Sequence, residues 1–322
     1  MPTARRPLRV LLWHVHGSWT TSFVRGGHEY LLPALPEGGP WGRGRSGRDW
    51  PATTEVSPDD LADTDVDVVV LQREDELKLA ERWLGKRPGV DVPAVFVEHN
   101  TPPEHAAATR HPLADQREIP LVHVTHFNDL MWDNGRCATR VIEHGIVDPG
   151  PRYQGELPNA AVLINEPMRR WRITGTDLLT TFGQAAPVDV FGIGAGDVRD
   201  RYAQVTGIAD LPQHRVHDEM ARRRVYVHTA RWTSLGLSLL EAMYLGMPVV
   251  AVASTEAPAA IPPEAGVVSS NVAELTDAVR RFVRDPDLAA DSGKAARDFA
   301  VTHYDLDTFL RAWDEVLAAV ST

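Results

Sequence analysis

Ten short apolar runs rich in β-branched residues constrain the fold of this chain more than any other feature. In the first half they are RVLLWH (9–14), VDVVVLQ (66–72), AVFVEH (94–99), LVHVTH (121–126) and RVIEHG (140–145). In the second half they are AVLIN (161–165), VDVFGIG (188–194), VYVHT (225–229), PVVAVA (248–253) and GVVSS (266–270). The runs are continuous rather than alternating, which is the signature of parallel strands covered on both faces. Helical patterns separate several of them, as in LAERWL (79–84), TDLLTTFGQ (176–184) and VAELTDAVRRFVRD (272–285). Parallel strands need crossover helices, so a strand–helix alternation that occurs twice predicts two α/β domains.

The chain length of 322 residues suits two domains of roughly 150 residues each. The Pro- and Gly-rich stretch DPGPRYQGELPN (148–159) is the natural linker. The expected division is 1–152 for the first domain and 153–304 for the second. A last helix, LDTFLRAWDEVLAAV, lies within 305–322 and is expected to pack back on the first domain. The stretch 36–51, PEGGPWGRGRSGRDWP, is long for a loop in a compact domain and reads equally as a surface insert or a functional loop.

A net charge of −11 opposes binding to nucleic acid through counterion release. It leaves room for a local basic pocket that takes a phosphate. With Cys137 as the only cysteine, an internal disulfide and a cysteine-built zinc site are excluded. No His pair has the helical zinc spacing around a glutamate, so no metal is expected. The basic start MPTARR leads into too short an apolar run for a signal peptide, and no run is long enough to span a membrane. The expected location is the cytoplasm, with no integral membrane association.

Residues 233–254, TSLGLSLLEAMYLGMPVVAVAS, carry the strongest functional signal. A polar turn follows the strand VYVHT, the residues opening the next helix offer backbone N–H groups, and Ser234 and Gly236 leave room for an anion to approach the segment Ser234, Leu235, Gly236 and Leu237. Glu241 lies too deep in that helix to cap it, but a carboxylate there can accept hydrogen bonds from paired ribose hydroxyls. Gly246 can end the helix in the left-handed conformation, and Pro248 can open the next strand. The segment suits a diphosphate joined to a ribose.

Glu241-Ala242-Met243 followed by Gly246-Met247-Pro248-Val249-Val250-Ala251 resembles the nucleotide-sugar motif of retaining glycosyltransferases of the GT-B fold, the family-4-like group 1 enzymes. The resemblance implies two Rossmann-like, doubly wound parallel-sheet domains facing across a cleft. It implies transfer of a sugar from a nucleoside-diphosphate-sugar donor, with retention and without metal or other cofactor. The acceptor would be a small molecule, a glycan or a lipid-linked group. In the family's mechanism the leaving phosphate takes the acceptor proton. The resemblance also places an arginine and a lysine at the donor diphosphate. Aligned on Gly175, these positions hold Arg169 and Thr174, and Arg172 is close enough to serve as the second cation. Gly26-Gly27 is similar to the family's glycine pair near the phosphates and acceptor, and His99 to its active-site histidine. His144 stands where asparagine is usual.

One departure concerns the sugar. The family has a further glutamate eight positions before the ribose-binding one, and here that position is Thr233. The nucleotide half of the site is thus kept and the sugar half altered, which implies an unusual donor sugar or weak activity. Two other functions fit the same residues: a non-catalytic sugar-nucleotide-binding relic, and a sugar-nucleotide epimerase of the same fold.

Overall fold

A computed structural model of the chain describes residues 6–103, 105–198, 201–208 and 211–321. Residues 1–5, with Arg5 of the basic start, lie outside them. The chain divides into two units, 1–147 with 306–322, and 148–305.

The first unit is built on β1 (Arg9–Leu12), α1 (Gly17–Phe23), β2 (Glu29–Pro33), β3 (Thr53–Val56), β4 (Val68–Leu71), α2 (Asp75–Leu84), β5 (Ala94–Glu98), β6 (Leu121–His123), α3 (His126–Met131) and β7 (Thr139–Val141). Its strands form one parallel sheet in the order β3-β2-β1-β4-β5-β6-β7. The order reverses between β1 and β4. At such a switch point the adjoining loops part and leave a ligand-binding crevice beyond the carboxyl ends of the strands.

The second unit repeats this plan with β8 (Leu157–Leu163), α4 (Pro167–Thr174), α5 (Leu179–Gly183), β9 (Val188–Phe191), β10 (Val205–Gly207), α6 (Gln213–Ala221), β11 (Arg223–His228), α7 (Leu237–Leu245), β12 (Val249–Val252), α8 (Ala257–Ala260), β13 (Gly266–Ser269), α9 (Val272–Arg284) and α10 (Pro286–His303). The sheet is again parallel, in the order β10-β9-β8-β11-β12-β13. Its switch point lies between β8 and β11. The helix α11 (Leu306–Val320) belongs to the first unit, where Trp313 packs edge-on against Trp19 and Phe23 of α1.

Each of the ten apolar runs overlaps a strand. Val68–Leu71 and Val249–Ala251 are buried because helices cover both faces of a parallel sheet, which removes apolar side chains from water at about 25 cal/mol per Å². Three further strands, β2, β3 and β10, add to the sheets on the side of β1 and β8 away from the switch points.

The stretch 36–51 is a folded connection between β2 and β3. Leu35 N–H donates to the Gly42 carbonyl and Gly44 N–H to that of Pro33, so the chain doubles back on itself. Trp50 is buried, and its Nε1 donates to Thr21 Oγ1 at 3.1 Å. This burial identifies the stretch as part of the unit rather than as a loose insert. No helix among the described residues is long and apolar enough to cross a membrane.

Candidate active site

In the second unit, residues 229–236 leave the carboxyl end of β11 at the switch point. They are stitched to the end of α4. Thr229 Oγ1 donates to the Thr174 carbonyl at 2.6 Å, and Arg231 N–H to the Ile173 carbonyl at 2.9 Å. Gly175 has φ +73°, and a Cβ there would lie 2.0 Å from the Thr229 carbonyl oxygen, so only glycine allows this approach. The segment then runs through Thr233, buried Ser234 and Leu235, and Gly236, the extended residue that precedes Leu237 at the start of α7. Gly246 ends α7 in the left-handed conformation, at φ +86°.

Glu241 is 7% exposed, one turn inside α7. Its Oε2 lies 3.2 Å from Nε2 of His217 on α6. Sequence reasoning missed this partner, because nothing local links residues 24 positions apart.

The cations are arranged differently from the expectation. Arg169 is exposed and folds back onto Glu166 in a two-pronged ion pair, with Nε 2.8 Å from Oε1. Arg172 is also exposed and pairs with Asp177 at 3.0 Å. Arg231 grips both oxygens of the same carboxylate, at 2.6 and 2.9 Å. Burial works to raise the Asp177 carboxyl, but Arg231 and Arg172 outweigh it and hold the carboxyl below the usual range. Arg170 is half-buried, and its guanidinium has no hydrogen-bond partner among the described residues. Burial, and then the nearby Arg169, lower its pKa. At the family's lysine position Thr174 is 1% exposed, with its hydroxyl 3.0 Å from that of Thr176. That position therefore presents no charge.

In the first unit the carboxyl ends of β1, β4, β5 and β7 lead to His14 and His16, Gln72, His99, and His144, respectively. His99 is 8% exposed, with its Nε2 3.0 Å from Gln72 Oε1. Its ring lies 4.2 Å from that of His16, centre to centre, and meets Trp19 edge-on at 5.0 Å. Burial, together with His16 and His144, holds His99 well below the usual histidine range. Burial, and then His16, push His144 down to about 3. His99 and His144 are therefore neutral at pH 7.

The loop carrying His99 is held on both sides. Glu98 Oε1 accepts from the Asn100 N–H at 2.7 Å, and Trp132 Nε1 donates to the Asn100 carbonyl at 2.9 Å. His105 and His126 are exposed and stand apart from this network. Cys137 is buried, and burial raises its thiol pKa, as expected for an unreactive cysteine.

Gly26 and Gly27 require a correction. They lie in the turn after α1 that precedes β2, at the amino ends of the parallel strands. His16 and His99 sit at the opposite edge of the sheet. The glycine at Gly26 has a local cause, since a Cβ there would lie 2.3 Å from the Tyr30 hydroxyl. The glycine at the carboxyl edge is Gly17, the first residue of α1. No cluster among the described residues has the make-up of a metal site.

The two parallel sheets, with the strand orders given above, define the GT-B fold. Residues 202–299, within the second unit, match the family described as glycosyl transferases group 1. No curated protein sequence matches the chain. Among solved structures, sucrose-phosphate synthase from Thermosynechococcus elongatus is similar with a TM-score of 0.70 at 13% identity, over 98% of this chain and 100% of that one. Anabaena HepE in complex with UDP and glucose gives 0.69 at 14% identity, over 97% and 100%. S. aureus TarM in a complex that includes UDP gives 0.61 at 15% identity, over 78% of this chain. The present chain spans 55% of TarM's length, about half.

Proposed function

We propose that the chain transfers a sugar from a nucleoside-diphosphate sugar to an acceptor, with retention of anomeric configuration and without a metal. The observation that carries this reading is Glu241, buried one turn inside the helix that opens at the second unit's switch point. The first N–H groups of α7 meet the diphosphate, and Glu241 accepts from the ribose hydroxyls.

Transfer breaks the bond from the anomeric carbon to the phosphate oxygen and forms one to the acceptor oxygen. The acceptor proton passes to the leaving phosphate. Negative charge grows on the diphosphate as this proceeds, so fixed donors and cations aimed at it lower the barrier. Arg169 and Arg172 are the cations implied by resemblance. Both carry carboxylate partners, as does Arg231, so Arg170 on the same helix joins them as a candidate. His99 is neutral and acts through a hydrogen bond to a sugar or acceptor hydroxyl rather than through charge. Thr233 offers one hydroxyl where the family offers a carboxylate, which favours a donor sugar with fewer hydroxyls or a modified one. The acceptor is a small molecule, a glycan or a lipid-linked group, handled by the first unit, and the protein works in the cytoplasm.

HepE and TarM are each seen with UDP, so uridine donors come first in the test. The chain is incubated with UDP-, GDP-, dTDP- and ADP-sugars and a panel of acceptors, and nucleoside diphosphate release is followed. Acceptor-dependent release with one donor, giving a product of unchanged anomeric configuration by NMR, is the expected result. The uncharged Thr174 and Thr233 favour a second reading, a binding protein without turnover. Nucleotide binding with no release from any donor would select it.

A further inference from the structure

Gln72 stands at the carboxyl end of β4, beside the switch point, and is 2% exposed. Its Nε2 donates to the Trp13 carbonyl at 2.7 Å. A carbonyl can only accept, so the orientation of the amide is settled by its chemistry, and Oε1 is the atom turned to His99. Oε1 in turn can only accept, so the proton of His99 resides on Nε2, 3.0 Å away. A neutral imidazole has one N–H, which leaves Nδ1 with its lone pair free to accept a hydrogen bond.

The support is rigid. The Gln72 backbone N–H donates to Glu76 Oε2 at 2.6 Å, and Arg73 Nε holds the other oxygen of that carboxylate at 2.7 Å. The charged alternative for His99 is opposed first by burial, and then from its neighbouring elements by His16 beyond β1 and His144 beyond β7. A carboxylate in place of Gln72 would favour the imidazolium. An amide selects a tautomer and adds no charge.

We propose that Gln72 is a positioning residue that locks His99 as the Nε2–H tautomer and so presents Nδ1 as an acceptor to a hydroxyl of the bound sugar or acceptor. The hydroxyl keeps its proton and is oriented rather than activated. This role in transfer rests on the glycosyltransferase reading, whereas the lock itself does not.

The test uses long-range proton–nitrogen NMR of the full chain, with His99→Gln assigning the signal. Wild type should show His99 protonated on Nε2 and bare on Nδ1 at about pH 7. Gln72→Leu should give a mixture of tautomers. Gln72→Glu should keep Nε2–H while moving the titration of His99 to higher pH, since a carboxylate accepts the same proton and stabilises the cation. With the donor and acceptor that turn over, Gln72→Leu should lower kcat roughly tenfold with little change in KM, the pattern of an interaction made in the transition state.

A wild-type His99 protonated on Nδ1, or a tautomer unaltered in Gln72→Leu, overturns the lock. A shifted tautomer with unchanged kcat overturns the role in transfer. If wild type transfers no sugar, the functional reading has failed, and the NMR result alone decides the lock.

Discussion

His217 and Glu241 face each other across α6 and α7, with Nε2 and Oε2 3.2 Å apart and both side chains buried. An ionised carboxylate can only accept, so His217 carries its proton on Nε2 and fixes one oxygen of Glu241. Removing His217 takes one charge-assisted donor from the buried carboxylate. His217→Ala should weaken nucleoside diphosphate binding about tenfold, or about 1.4 kcal/mol. Titration calorimetry with the bound nucleotide checks this, and unchanged affinity would show that Glu241 is placed without its partner.

Three buried histidines make the fold sensitive to mild acid. Burial lowers His14 to about 4, despite the hydrogen bond to the Gly44 carbonyl, and lowers His228 to about 4 and His144 to about 3. In the unfolded chain each takes up its proton near pH 6.5, whereas the folded chain refuses it until pH 3 to 4. The unfolded state therefore binds more protons in between, and stability falls as pH drops through that window. Each histidine accounts for up to about 2 kcal/mol between about pH 6.5 and 5. Urea melts at the two pH values measure this, and His144→Asn should remove its share of the slope.

Gly175 joins the end of α4 to the loop that carries Thr233. At φ +73°, with the Thr229 carbonyl 2.0 Å from any added Cβ, alanine must displace that loop. Gly175→Ala should cost at least about 2 kcal/mol in urea unfolding, through both clash and backbone strain. A change within about 0.5 kcal/mol would mean the segment shifts freely.

Restoring the family's carboxylate tests the sugar half of the site. Thr233→Glu should raise turnover with a common hexose donor on the order of tenfold, the size of about one charge-assisted hydrogen bond. It should lower turnover with the native donor. A variant slower with every donor would place Thr233 away from the sugar.

Long apolar strands were legible where both faces are buried. Val68–Leu71 reads as a strand because every side chain is apolar. β3, TTEV, is half-exposed and β10 has three residues, so neither carries the continuous run that marks a buried strand, while the buried run Tyr30–Leu32 of β2 is short and stops at Pro33. Glu241 was legible because its helix, the Gly246 break and the next strand are contiguous. His217 and Gln72 were not, since their partners lie 24 and 27 residues away and neither residue type announces a site. The glycine pair at 26–27 misled because spacing near a strand does not tell which end of the strand it adjoins.

The central claim is that α7 and Glu241 hold a nucleoside diphosphate. A thermal-shift panel of UDP, GDP, dTDP, ADP and their sugars on wild type and Glu241→Ala tests it most directly. A ligand at about 100 times its Kd stabilises the fold by about 2.7 kcal/mol, a readily measured rise in Tm. The account predicts a rise with one nucleotide and its sugars, abolished in Glu241→Ala. No rise with any nucleotide, or a rise that survives the loss of Glu241, would contradict it.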